Sequence, residues 1–242
     1  MIKKERATGA PVLVLDAGNS LVGDRDPARR SEGASSIEAM NLMGYDAVTL
    51  GAGDLALGVE ALLACQAEAN FPILSANVML NGTGDLLVSP YVIEDVGGIQ
   101  VAVWGLTEIT DEPLPGLQIE DPVSVAKELV PELERNADFV VLLSHAGRPA
   151  DQRIAAEVPG VDWIIGGGKH DVTWEPIVDP ETGTVIVQAD YGTHGYAGRS
   201  VGEARLTFDT DHQLVFYEWQ TAVLESEIPL DPDLLALQNR WR

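Results

Sequence analysis

Cysteine is nearly absent from this chain. Cys65 is the single thiol, so an intrachain disulfide framework is excluded. Its setting, EALLACQAEAN, is a helical pattern, which makes it a buried structural thiol rather than a nucleophile. Lysine is scarce as well, confined to Lys3, Lys4, Lys127 and Lys169. Basic side chains number 15 against 38 acidic ones, a formal net charge of −23. That imbalance argues against nucleic acid and anionic membrane surfaces as partners, since both call for basic patches. It suits solubility and a salty or extracellular setting. No apolar run reaches the ~18 residues of a membrane span. The opening stretch, MIKKERATGA, has no hydrophobic region of the signal-peptide kind. It reads instead as the end of an amphipathic helix running into a strand. Internal repeats and low-complexity stretches are missing too.

What remains is an ordinary supply of apolar residues, 45% of 242, enough for a sizeable core. Short β-branched runs read as strands at 11–18, 46–51, 71–78, 101–107, 138–147, 161–168, 184–190, 202–210 and 213–224. Several are apolar throughout, as strands buried on both faces are. Helical patterns fall between the early runs, at 35–44, 58–70, 123–137 and 151–160. Strand–helix alternation followed by consecutive strands predicts α/β layering with an antiparallel portion late in the chain. The tail, IPLDPDLLALQNRWR, reads as a linker entering a helix. Five strands end in Gly- or His-bearing turns: DAGNS, GAGD, SHAG, GGGKH and YGTHG. Ligands bind outside the carboxyl ends of strands in open α/β sheets. One rim is therefore expected to gather Asp16, Asn19, Asp54, His145, His170 and His194. The glycine run 166–168 is not a phosphate-binding P-loop, because it lacks the Gly-Lys-Ser/Thr ending and the spacing.

LDAGNS, EAMNLMGYDAVTLGAGDLALG, FPILSANV, VVLLSHAG, VDWIIGGGKH and IVQADYGTHGYAGR occur in this order over roughly residues 3–230. Together they resemble the metallophosphoesterase (calcineurin-like) domain of the 5′-nucleotidase and UDP-sugar hydrolase family, which also includes sulfur-oxidation thiol hydrolases. The resemblance implies a four-layered α/β/β/α sandwich. It also implies two divalent metals, such as Mn or Zn, roughly 3.5–4 Å apart and activating a water for attack on phosphorus. The family signatures are an early Asp-x-His, a Gly-Asp, a Gly-Asn-His-Glu, a lone His and a Gly-His-x-His. The early Asp-x-His has no counterpart, and Met1–Arg6 matches the end of the helix that follows it, so the first strand is expected to be missing. The bridging Asp falls on Asn19. The Asn and His of the third signature fall on Ala52 and Gly53, and its acidic residue on Asp54. The Asp that pairs with the catalytic His falls on Ala56. The lone His is kept as His145. In the last signature the first His becomes Gly168 and the second is kept as His170.

The implied metal set is thus His145 and His170 as remnants, with Asn19 and Asp54 as further candidates and His194 as a ligand-binding candidate. His145 also reads as a hydrogen-bonded rim histidine, Asp54 as a salt-bridge partner or helix cap, and Asp16 as a cap or brace of its turn. Catalytic residues are not expected, because Gly53 and Ala56 replace them. Two histidines hold a metal poorly, since catalytic zinc sites usually have three protein ligands.

The expected organisation is a metallophosphoesterase-like domain over 1–225 and a linker and helix over 226–242, without the family's C-terminal domain. The expected function is a degenerate, non-catalytic domain, a structural or partner-binding subunit without cofactor, joined to a protein partner or to copies of itself. Two alternatives stay open: a metal-dependent phosphoester hydrolase with a remodelled site, and a nucleotide- or anion-binding module that does not hydrolyse. The compartment is extracellular or periplasmic by resemblance, and cytoplasmic if the written start is genuine. A missing strand would leave unpaired backbone and an apolar groove. Closure of the sheet, fold-back of the N-terminal residues or a strand from another chain would repair it.

Overall fold

The computed structural model describes residues 1–22, 27–168, 173–189, 200–225 and 228–242. In chain order the elements are α1 (Ile2–Arg6), β1 (Leu15–Asp16), α2 (Ala34–Met43), β2 (Ala47–Thr49), α3 (Ala52–Leu55), α4 (Val59–Glu68), β3 (Ile73–Leu74), β4 (Val78–Leu80), β5 (Tyr91–Val96), β6 (Ile99–Thr107) and β7 (Leu117–Ile119). They continue with α5 (Pro122–Asn136), β8 (Phe139–His145), α6 (Arg148–Glu157), β9 (Trp163–Gly166), β10 (Ile177–Val178), β11 (Val185–Val187), β12 (Ser200–Phe208), β13 (Leu214–Val223) and α7 (Pro232–Arg240).

Two sheets face each other. The larger has the order β10-β11-β9-β8-β6-β5, and the smaller is β1-β2-β3 with all strands parallel. The central strands of the larger sheet owe their positions to composition. β8 is buried at every residue, and β6 from Val101 onward, which matches their uninterrupted apolar runs. β12 and β13 form a long antiparallel hairpin, the consecutive-strand portion expected late in the chain.

Three apolar layers follow from the alternation of side chains along the strands. Trp104, Leu142 and Ile164 point from the large sheet toward α5 and α6, meeting Val130, Leu133 and Ile154. Val103, Val141, Leu143 and Trp163 point the other way, meeting Ala47 and Leu74 of the small sheet and Leu206 and Trp219 of the hairpin. The outer face of the small sheet, with Val48 and Ile73, packs on Ile37, Met40, Leu62 and Cys65 of α2 and α4. The sequence of layers is α/β/β/α, the sandwich that the resemblance implied. Each fully buried Leu or Ile here contributes ~1.5–3 kcal/mol relative to exposure, so the stacked layers carry the fold. Cys65 is indeed buried, 3% exposed.

Helix ends obey local chemistry. Asp121 caps α5 by accepting the Ser124 N–H at 2.8 Å, and Asp231 caps α7 through Asp233 and Leu234, as expected for Asp at this position. Glu38 of α2 fastens α7, accepting from Trp241 Nε1 at 2.9 Å and pairing with Arg240. None of the described helices is long and apolar enough to cross a membrane.

Candidate functional site

The carboxyl ends of β1, β2, β8 and β9 meet at one rim between the two sheets. β1 leads into the turn Ala17–Ser20, β2 into Leu50–Gly51 and the single-turn helix α3, β8 ends on His145, and β9 runs into Gly167 and Gly168. The segments touch closely. A Cβ on Gly18 would lie 2.8 Å from the Gly51 nitrogen and 3.0 Å from His145 Nδ1, and Gly18 also has φ of +98°. A Cβ on Gly167 would lie 2.3 Å from the Ala17 carbonyl oxygen. Only glycine fits at either point.

Asp54 organises the rim. It is 1% exposed, and its carboxylate accepts backbone N–H groups from Asn19 at 2.8 Å, Leu21 at 3.0 Å and Gly51 at 2.9 Å. The bond from Gly51 is the backward half of a capping box on α3. Burial pushes the Asp54 carboxyl above its ordinary range, against the pull of those three donors. Asp16 braces the first turn by accepting the Gly18 N–H at 2.9 Å and the Ser20 hydroxyl. Burial raises its carboxyl too, opposed by these donors and by His145.

Asn19 stands at the centre, in the left-handed conformation with φ of +61°, which Asn tolerates better than most residues. Its Oδ1 accepts the Gly53 N–H at 2.8 Å. That bond orients the amide, so Nδ2 is the atom facing His145 Nε2 at 2.9 Å. His145 Nδ1 lies 2.7 Å from the Ala17 carbonyl oxygen and must donate there, because a carbonyl only accepts. The imidazole is therefore the Nδ1–H tautomer, with its Nε2 lone pair accepting from Asn19. His145 is buried, 3% exposed.

Behind His145 lies a second polar group that sequence reasoning passed over. Ser144 donates its hydroxyl to Asp151, in the first turn of α6. Asp151 is 1% exposed, and burial pushes its carboxyl up to about 7. Arg148 donates to Gln188 Oε1 at 3.2 Å, and Gln188 Nε2 donates to the Gly168 carbonyl at 3.3 Å. The available signal was SHAGRPAD, where Gly147 and Pro149 open a helix and place an acid in its first turn.

The structure thus brings together Asn19, Asp54, His145 and Gly168, with Ala52 and Gly53 beside them. Ala56 lies one residue past α3 on the exposed side. His170, Lys169 and His194 lie outside the described residues. Among the described residues no group of three or more His, Cys, Asp or Glu side chains is placed to hold a metal ion.

A scan of protein-family models finds no match. Individual proteins do match. Bovine 5′-nucleotidase (Bos taurus) is 33% identical over 256 residues, covering 96% of this chain and 44% of that protein. A 5′-nucleotidase precursor from Thermus thermophilus superposes with a TM-score of 0.84 at 26% identity, covering 99% of this chain and 51% of that one. The chain is a metallophosphoesterase domain of the 5′-nucleotidase family. The fold also matches the sulfate thiohydrolase SoxB of Thermus thermophilus, solved with glycerol, at a TM-score of 0.88 and 25% identity over 99% of this chain and 45% of that one. The chain spans about half the length of the curated relatives it matches.

Proposed function

We propose that this metallophosphoesterase domain is non-catalytic and serves as a structural or partner-binding unit. The observation that carries the reading is the closed Asn19–His145 contact. Both ends of the Asn19 amide are committed, Oδ1 to the Gly53 N–H and Nδ2 to His145 Nε2. The lone pair that a metal would require from His145 already has a donor. Asn19 supplies no anionic bridge to offset repulsion between two dications. Ala52, Gly53 and Gly168 supply no side-chain donor. Asp54 has both carboxylate oxygens occupied by backbone N–H groups. The described donor set does not fit a dinuclear centre, and the acidic charge of the chain disfavours a phosphate without one.

Metal content and hydrolysis test this together. The chain, dialysed against Mn²⁺ or Zn²⁺, is expected to retain well under one equivalent and to turn over nucleotides and p-nitrophenyl phosphate at background. Gly53→His alone is expected to restore nothing, because catalytic groups that act as a unit are strongly non-additive. Two tightly held metals with hydrolysis above background would overturn the reading in favour of a phosphoester hydrolase.

A further inference from the structure

Seven asparagines lie in the chain, and Asn81 alone is followed by glycine. The backbone nitrogen after an asparagine can attack the side-chain amide carbon and close a five-membered ring. Such an attack needs no encounter, because both groups belong to one chain. It is least hindered where the next residue has no Cβ to crowd the approach. Asparagine is accordingly a thermolabile residue.

The structure leaves this pair open. Asn81 follows the last residue of β4, and Asn81, Gly82, Thr83, Gly84 and Asp85 are all exposed. A Cβ on Gly82 or Gly84 would meet nothing within 4 Å, and both glycines are left-handed, with φ of +95° and +74°. The turn is closed at its base, where the Leu80 N–H donates to the Asp85 carbonyl at 2.8 Å and the Gly84 N–H to the Leu80 carbonyl at 3.1 Å. Inside that closure the Gly82 N–H has no hydrogen-bond partner among the described residues. The nucleophile is therefore uncommitted and reached by water. Asn81 itself is held toward β7: its N–H donates to the Gly116 carbonyl at 2.9 Å, and its Nδ2 to the Leu117 carbonyl at 3.1 Å.

The other asparagines lack this combination. The side-chain amide of Asn19 is bonded at both ends, to Gly53 and His145. That of Asn41 is bonded to Glu68 and Asn70. Asn77 is buried, and Asn70 precedes the buried Phe71. Asn136 and Asn239 lie in α5 and α7.

We infer that Asn81 is a site of spontaneous deamidation, with Gly82 supplying the nucleophile and water as the co-reactant. The Gly82 backbone nitrogen gives its proton to solvent base and attacks Asn81 Cγ. The N–Cγ bond forms, the Cγ–Nδ2 bond breaks, and Nδ2 leaves as ammonia with a proton taken from water. A second water opens the succinimide at either carbonyl, giving aspartate or isoaspartate. The sum is an amide and water converted to a carboxylate and ammonium, with no oxidant or cofactor. Either product loses the Nδ2 donor that ties the turn to Leu117 and adds a negative charge. The isoaspartyl product also lengthens the main chain by one carbon, beside the β4–β7 pairing of Leu80 with Leu117.

The test holds the chain 1–242 at 37 °C at pH 6, 7 and 8, and maps its peptides by mass spectrometry, with isoaspartate resolved by chromatography. The synthetic peptide MLNGTGDLL runs beside it as the unfolded reference. Asn81 is expected to convert at least tenfold faster than any other asparagine at pH 8. Its rate should climb with pH, because the attacking nitrogen must shed its proton. A later-eluting species on anion exchange should accumulate in step and be absent from Asn81→Gln, which keeps an amide but disfavours the ring. Gly82→Ala should slow conversion at least tenfold. Another asparagine reacting first, or a rate indifferent to pH, would overturn the inference. So would an Asn81 that reacts more than a thousandfold more slowly than the peptide, since the folded turn would then be protecting it.

Discussion

Replacing Asn19 by Asp inverts the polarity of the contact at the centre of the rim. The introduced carboxylate keeps one oxygen for the Gly53 N–H, which in the wild type lies 2.8 Å from Asn19 Oδ1. The other oxygen takes the place of Nδ2, 2.9 Å from His145 Nε2. A carboxylate facing an imidazole lone pair is repulsive, because both are acceptors. The variant loses the amide–imidazole hydrogen bond, worth ~0.5–1.5 kcal/mol. It also leaves the Nε2 acceptor of the buried His145 without its donor, which costs ~1–3 kcal/mol. Urea unfolding of wild type and Asn19→Asp at pH 8 should show a lower midpoint for the variant at constant m-value. A variant as stable as the wild type, or more stable, refutes the proton arrangement described for Asn19 and His145.

Two further perturbations test the surroundings. Burial raises Asp151 from its ordinary 3.8 to about 7, so its contribution is complete below about pH 4 and lost as pH rises through 7, with a ceiling near 4 kcal/mol. Asp151→Asn should flatten the fall in stability between pH 4 and 7 while Asp162, raised to about 6, keeps part of the slope; an unchanged curve by urea titration refutes the assignment. A Cβ on Gly51 would lie 2.7 Å from the backbone nitrogen of Asn19, whereas one on Gly53 would meet only the tip of the Asn19 side chain at 2.8 Å. Gly51→Ala should therefore cost ~1–3 kcal/mol by overpacking and Gly53→Ala distinctly less, read as urea midpoints at constant m-value; equal costs would show that the turn yields at both positions.

Much of this architecture was legible because burial writes itself into composition. The runs at 101–107 and 138–147 are apolar on both faces and became the interior strands β6 and β8. β5 was passed over, because YVIEDV is an edge strand with two exposed acids, although Gly97-Gly98 between it and β6 is a hairpin signal. The run 11–18 promised a full strand, yet only Leu15–Asp16 pairs, since a backbone ladder requires a neighbour and β2 is itself only three residues long. The run 71–78 divides into β3 and β4, which join different sheets. At the rim, the strand-end turns announced which residues would assemble. Their partners could not be read, because Asn19 and His145 stand 126 positions apart and the proton on each nitrogen is fixed by Ala17 and Gly53 backbone groups that carry no side-chain signature.

The grip of Asp54 on three backbone N–H groups has an evolutionary consequence. The shape of the rim is held by main-chain groups, by the carboxylates of Asp54 and Asp16 and by the side chains of Asn19 and His145, with glycines where segments cross. Ala52, in the same turn, gives no side-chain bond to that hold. A position of this kind can exchange its side chain without loosening the turn, because nothing fastens on it. The outline of the rim and the chemistry mounted on it are therefore inherited separately.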